Sequence, residues 1–183
     1  MKRWGKLKPV RFDEKELKTD LGSGNFIFVG SSCDIFAQDI PAQWIADTLN
    51  YCEKFNNTYL FQTKNPSRIM DSWLPDKSLV CTTIETNRWY PEIMGNSPKP
   101  ISRAQAMSYF AIREFLTIEP IMDFDLKAFI GMIKAFNPRQ ANIGADSGNN
   151  HLPEPSKEKI LELIAALEEF TVVKQKTNLR RLL

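Results

Sequence analysis

The chain has 183 residues, 43% of them hydrophobic and 25% charged, with a formal net charge of +2. That is the length of one domain with apolar content for one core, which excludes wholesale disorder. The balanced charge does not name nucleic acid as partner, and no apolar run approaches the ~18–20 residues of a membrane helix.

In chain order, residues 1–24 come first as a basic and charged arm. Five of the first eleven residues are basic (Lys2, Arg3, Lys6, Lys8 and Arg11), and no apolar run follows them, which reads against a secretory signal. The arm reads as solvated or as a short surface helix, with a nucleic-acid contact around Trp4 as the alternative. From residue 25 to 183 short apolar runs alternate with segments of helical period. Strands are expected at 25–29, 58–61, 79–82, 115–118, 141–143 and 171–173, each rich in β-branched or aromatic residues. Several are apolar at consecutive positions, as in parallel strands covered on both faces.

Helices are expected between them. Residues 41–55 place Trp44, Ile45, Leu49 and Cys52 on one face, and Asn65 with Pro66 marks a helix start running to Trp73. A third helix covers 102–110. A fourth follows Asp125 with Leu126, Phe129, Ile130 and Ile133, and a fifth begins near Ser156 with Ile160, Leu163, Ile164 and Leu167. The pattern is an α/β chain with right-handed parallel crossovers.

An open doubly wound sheet and a (βα) barrel share this alternation. The doubly wound fold usually carries a Gly-rich turn after its first strand, but here Gly22-Ser23-Gly24 precedes the strand and Gly30-Ser31-Ser32 lacks the later glycines. Polar strand ends favour the barrel, because there they all meet at one mouth. A full eight-fold barrel takes ~250 residues, so the expected fold is a partial (βα) barrel with about six parallel strands.

The candidate ligand-binding residues are these strand ends: Ser31, Asp34, Thr63, Lys64, Glu85, Asn87, Glu119, Asp146, Ser147, Lys174 and Gln175. Glu85 and Glu119 either accept hydrogen bonds from a ligand, or serve as acid or base, or merely pair with Lys64 or Lys174. Lys64 and Lys174 hold an anion or balance those carboxylates, and Asp34 is either a ligand shelf or a turn cap. Residues 144–148 form a glycine-bounded turn whose amides suit an anion or only the turn itself. Catalytic residues are not assigned. Three cysteines 19 and 29 positions apart (Cys33, Cys52 and Cys81) form neither a disulfide framework nor a metal clip, which suits a reducing cytoplasm. The single histidine, His151, has no second ligand at metal spacing, so no metal site is expected.

Taken as an ordered set, FVGSSCDIF (28–36), FQTKNPSR (61–68), TTIETN (82–87), FLTIEPIM (115–122), NIGADSG (142–148) and VVKQ (172–175) resemble a phage- and bacterium-encoded family related to radical S-adenosylmethionine (SAM) enzymes. The resemblance covers residues 25–175. It implies a partial barrel, and it implies that the family holds a [4Fe–4S] cluster on a Cys-x2-Cys-Tyr loop ahead of this region, with SAM on the open iron. No cysteine precedes residue 25, so no cluster ligand is carried over. Either the natural protein extends upstream, and SAM and cluster belong to that longer form, or the chain has lost the cluster and binds a small polar ligand at the mouth. Nucleic-acid binding through the basic ends (Lys2 to Arg11 and Lys174 to Arg181), or a cluster-free enzyme using Glu85 or Glu119 with Lys174, are the alternatives. A missing βα unit leaves the first strand with an open edge, which a folded-back arm or a second copy of the chain is expected to cover.

Overall fold

The computed structural model describes residues 9–110, 114–148 and 150–183, with Asp71 and Glu114 described by backbone alone. The basic residues Lys2, Arg3, Lys6 and Lys8, with Trp4, lie outside the described residues. Six strands form one sheet: β1 (Phe26–Val29), β2 (Thr58–Thr63), β3 (Ser78–Thr83), β4 (Glu114–Ile118), β5 (Gln140–Ile143) and β6 (Val172–Gln175). Each pairs parallel to the next in sequence, in the order β1-β2-β3-β4-β5-β6. Every crossover therefore steps one strand in the same direction, and right-handedness sends each connection over the same face. This is the expected α/β fold with a partial barrel-like sheet, not a doubly wound one.

The helices are α1 (Ala42–Cys52), α2 (Pro91–Met94), α3 (Pro100–Met107), α4 (Leu126–Lys134) and α5 (Lys157–Glu168). Ile45 and Leu49 of α1, Ala104 and Met107 of α3, Phe129 and Ile133 of α4, and Ile160 and Leu163 of α5 share one core with Tyr59, Phe61, Val80, Leu116, Ile118, Ala141 and Ile143 of the sheet. Those strand residues lie in common cross-strand rows, such as Val29–Phe61–Val80 and Ile118–Ile143. They define the helix-covered face.

The alternate positions make the other face, and here the structure corrects the expectation of strands covered on both sides. Phe26, Phe28 and Val172 remain 61%, 41% and 58% exposed, while Cys81, Thr83 and Thr117 at the sheet centre are buried. A flat bare face would expose its centre as much as its edges. Burial at the centre alone is the mark of a sheet curled toward a barrel interior.

The helix expected from Asn65 to Trp73 is absent. Two 3-10 turns, Pro66–Arg68 and Asp71–Trp73, take its place. The Asn65 side chain accepts from the Ser67 hydroxyl (2.8 Å) rather than from the backbone of a first helical turn. Ile69, Met70 and Trp73 keep helical spacing, but Met70 and Trp73 are 51% and 46% exposed, so the stripe has no core to hold a longer helix. Strands β2, β3 and β6 run further than expected, which places Thr63, Lys174 and Gln175 inside strands. The described part of the arm folds back onto α1: Phe12 stacks on Trp44 at 5.5 Å, and the Tyr51 hydroxyl donates to Thr19 C=O at 2.6 Å. No helix among the described residues is long and apolar enough to cross a membrane.

Candidate functional site

Strand register stacks polar residues on the concave face in layers toward the C-terminal ends. Thr83, Thr117, Asn142 and Lys174 form one continuous row across β3 to β6. Beneath it Gln62 and Cys81 are paired; Gln62 donates to the Thr83 hydroxyl at 3.0 Å, and Cys81 Sγ meets Thr117 Oγ1 at 3.2 Å. Two residues past the row, Glu85, Glu119 and Lys176 keep the same parity and top the face.

At the β2–β3 end of this layer, Glu85 is buried between two cations. Lys64 Nζ lies 2.5 Å from Oε1 and Arg103 Nη1 lies 2.8 Å from Oε2. The Lys64 side chain is 41% exposed, whereas Arg103 is fully enclosed. Arg103 reaches the site from α3 and is fixed by Nε to Pro98 C=O (2.7 Å) and Nη1 to Thr83 C=O (2.9 Å), leaving Nη2 without a partner among the described residues. Burial pushes the guanidinium below its ordinary value, and Glu85 opposes that shift.

At the β4–β6 end Glu119 accepts from Lys176 Nζ and from Asn178 Nδ2 (2.6 Å). The carboxylate lies against the backbone after β5, where a Cβ on Gly144 would fall 2.7 Å from Glu119 Oε1. Only glycine permits that approach. The partner of Glu119 is therefore Lys176 and not Lys174. Strand period two puts Lys174 one layer lower, with no ion-pair partner among the described residues, and turns Gln175 to the helix side.

The remaining candidates have fixed structural partners or none. Asp34 Oδ2 accepts from Thr63 Oγ1 (3.0 Å) and Lys64 N–H (2.8 Å) while Oδ1 takes Phe36 N–H, which staples the β1 and β2 ends together. Asn87 accepts from Asp125 N–H (2.8 Å) at the start of α4. Asp146 accepts from Gly148 N–H (2.9 Å) and from Asn150, closing its own loop; burial pushes its carboxyl up, but these donors and Arg181 outweigh that and hold it below its ordinary value. Ser31 and Ser147 are exposed. A cavity of about 140 Å3, lined by Asp34, Asp39, Lys64, Asn65, Asn96 and Ser97, opens beside the β1 and β2 ends.

The thiols do not fit a cluster. Cys52 sits in α1 on the helix side, Cys81 on the concave face, and Cys33 in the exposed loop after β1. Burial raises both Cys52 and Cys81 to about 11, against the thiolate a metal requires, and burial with Asp34 raises Cys33. No three His, Cys, Asp or Glu side chains among the described residues converge to hold a metal ion. At the basic C-terminal end, Lys176 and Arg181 are engaged by Glu119 and Glu154.

Reading strand ends takes in Gln62 without making it a candidate, and it misses Thr117, Asn142 and Arg103. The first three are polar residues inside apolar strands at alternate positions, a signal of period two. Arg103 adjoins Ala104 and precedes Met107 by four, so it shares the buried stripe of α3.

No protein-family model matches the chain, and a search of curated proteins finds no match either.

Proposed function

We propose that the chain is a radical-SAM-like partial barrel that binds a small polar ligand on the concave face near its C-terminal rim, with none of its three thiols serving as a cluster ligand. The order of polar strand ends along the sheet supports the kinship. The observation that carries the binding reading is the layering itself: Glu85, Glu119 and Lys176 stand above the row Thr83–Thr117–Asn142–Lys174, on the sheet face opposite the helix-packed strand residues.

Both carboxylates are already paired with cations, so a ligand meets a balanced surface of hydroxyl, amide and ammonium groups rather than a bare acid and base. That favours recognition over acid–base chemistry, and it favours ligands bearing both charges. Lys174, with no ion-pair partner among the described residues, supplies a donor for a carboxylate or phosphate, Asn142 reads hydroxyl or amide groups beside it, and Lys64 is the exposed cation over the small cavity.

The reading is tested by amide NMR titration of the chain with zwitterionic and hydroxylated small molecules, free amino acids and SAM included. Expected shifts gather at Lys64, Thr83 to Asn87, Thr117 to Glu119, Asn142 to Ser147 and Lys174 to Lys176. Lys174→Ala is expected to weaken the bound compound about tenfold, as loss of one charge-assisted hydrogen bond does. Shifts scattered over the surface, or none with any compound, refute it.

A further inference from the structure

The outer edge of β1 is unpaired among the described residues. Thr58 N–H donates to Asn25 C=O at 2.8 Å, so by the two-residue repeat of a parallel ladder the backbone groups of Ile27 and Val29 face β2. Those of Phe26 and Phe28 face outward, and no backbone group among the described residues pairs with them. The described arm, which was one candidate for covering this edge, lies on α1 instead. Between arm and edge it leaves a groove of about 470 Å3 whose apolar wall includes Leu17, Leu21, Ile27, Val29 and Ile35.

The opposite edge of the sheet differs. β6 carries Lys174 and runs into the 3-10 turn Thr177–Leu182, and a charged residue on an edge strand discourages added strands. β1 reads Phe-Ile-Phe-Val, with no lysine, proline or bulge.

We infer that β1 pairs antiparallel with β1 of a second copy of the chain, about a two-fold axis at Ile27. The sequence of the strand is self-complementary in that register. Phe26 then stands opposite Phe28 of the second copy on the concave side, twice over, and Ile27 stands opposite its equivalent on the helix side. Phe26 and Phe28 are also the residues whose N–H and C=O point outward, so this register satisfies every outward-facing group of the Phe26–Phe28 stretch on both strands. The two exposed phenyl rings become aromatic cross-strand pairs, and Ile27 of the second copy enters the groove. The mixed charges at the groove's rim, Arg11, Asp13 and Glu16, suit a two-fold axis, where each sign can meet its opposite.

Sedimentation velocity over a concentration series, with amide hydrogen exchange at Phe26 and Phe28, tests this. The expected result is a monomer–dimer equilibrium in which those two amides gain protection as concentration rises. Phe28→Lys is expected to abolish the dimer, while Val172→Lys on the far edge leaves it intact. The exchange measurement on the native chain stands alone if Phe28→Lys does not fold. A native chain that sediments as a monomer at every concentration overturns the inference, as does a dimer in which the Phe26 and Phe28 amides exchange freely.

Discussion

Glu85 and Arg103 are taken out of water together, and their attraction offsets a desolvation cost of several kcal/mol per ion only while both are present. Arg103 carries the larger desolvation cost, since its Nη2 finds no partner among the described residues. Removing Glu85 alone, as Glu85→Ala, is expected to cost about 3–5 kcal/mol, because it leaves an enclosed guanidinium beside backbone carbonyls. The double substitution Glu85→Leu with Arg103→Met is expected to recover most of that loss. Urea denaturation of the native chain and the two variants reads the difference; if the double variant is as unstable as the single one, the pair is worth more than its desolvation. Glu85 and Glu119 were legible in the sequence because each directly follows an apolar run. Arg103 was not, because a charge on an amphipathic helix ordinarily marks the solvent face, and here the stripe turns it inward to a carboxylate 18 residues away. The exchange of Lys174 for Lys176 as the partner of Glu119 has the same origin: residue type was readable, but which layer it occupies depends on where the strand begins.

Among the elements, the entry to α4 is held by charge. Arg88 bridges Asp123 and Asp125, Lys159 of α5 also meets Asp123, and Asn87 takes the Asp125 backbone N–H. Hydrogen bonds from Arg88 and Asn87 hold the Asp125 carboxyl at about 2, below its ordinary 3.8. For Asp123 burial acts upward, but Lys159 and Arg88 outweigh it and the net shift is also down. A carboxyl whose value is lower in the fold than in the unfolded chain adds stability above the unfolded value, and that stability drains away as pH falls through the folded one. Melting temperature is therefore expected to drop between about pH 4 and pH 2, less steeply in Asp125→Asn and in high salt, since these groups are largely solvent-facing. A melting profile with the same slope in Asp125→Asn would remove the clamp from the account. Four of the five expected helices formed because each had an apolar stripe to bury. The fifth, from Asn65, had a start signal and apolar residues at helical spacing, but Met70 and Trp73 of that spacing meet no core, and packing rather than capping decides whether a helix persists.

For the whole molecule, alternation of strands and helices predicted a parallel sheet, and the polar strand ends, with no Gly-rich turn of the doubly wound kind, pointed to winding in one direction. What it did not reveal was that the edges of one face stay exposed, since consecutive apolar residues read as cover on both sides while Phe26, Phe28 and Val172 on the edge strands face solvent. That asymmetry predicts a stability gradient across the sheet. β3, β4 and β5 are hydrogen-bonded on both flanks, and their residues Val80, Leu116, Ala141 and Ile143 are fully buried under helices. β6 has one paired flank and a burial pattern open at three of its four positions. Local opening draws on few buried contacts at such an edge and on the whole core at the centre. Hydrogen exchange is thus expected to be slowest at the amides of Val80, Cys81, Leu116, Thr117, Ala141 and Asn142, and fastest among the strands at β6. In dilute protein β1 should resemble β6, with the two edges diverging only as concentration rises. Uniform protection across all six strands in dilute protein would mean that both sheet edges are covered in solution, and the gradient would fail.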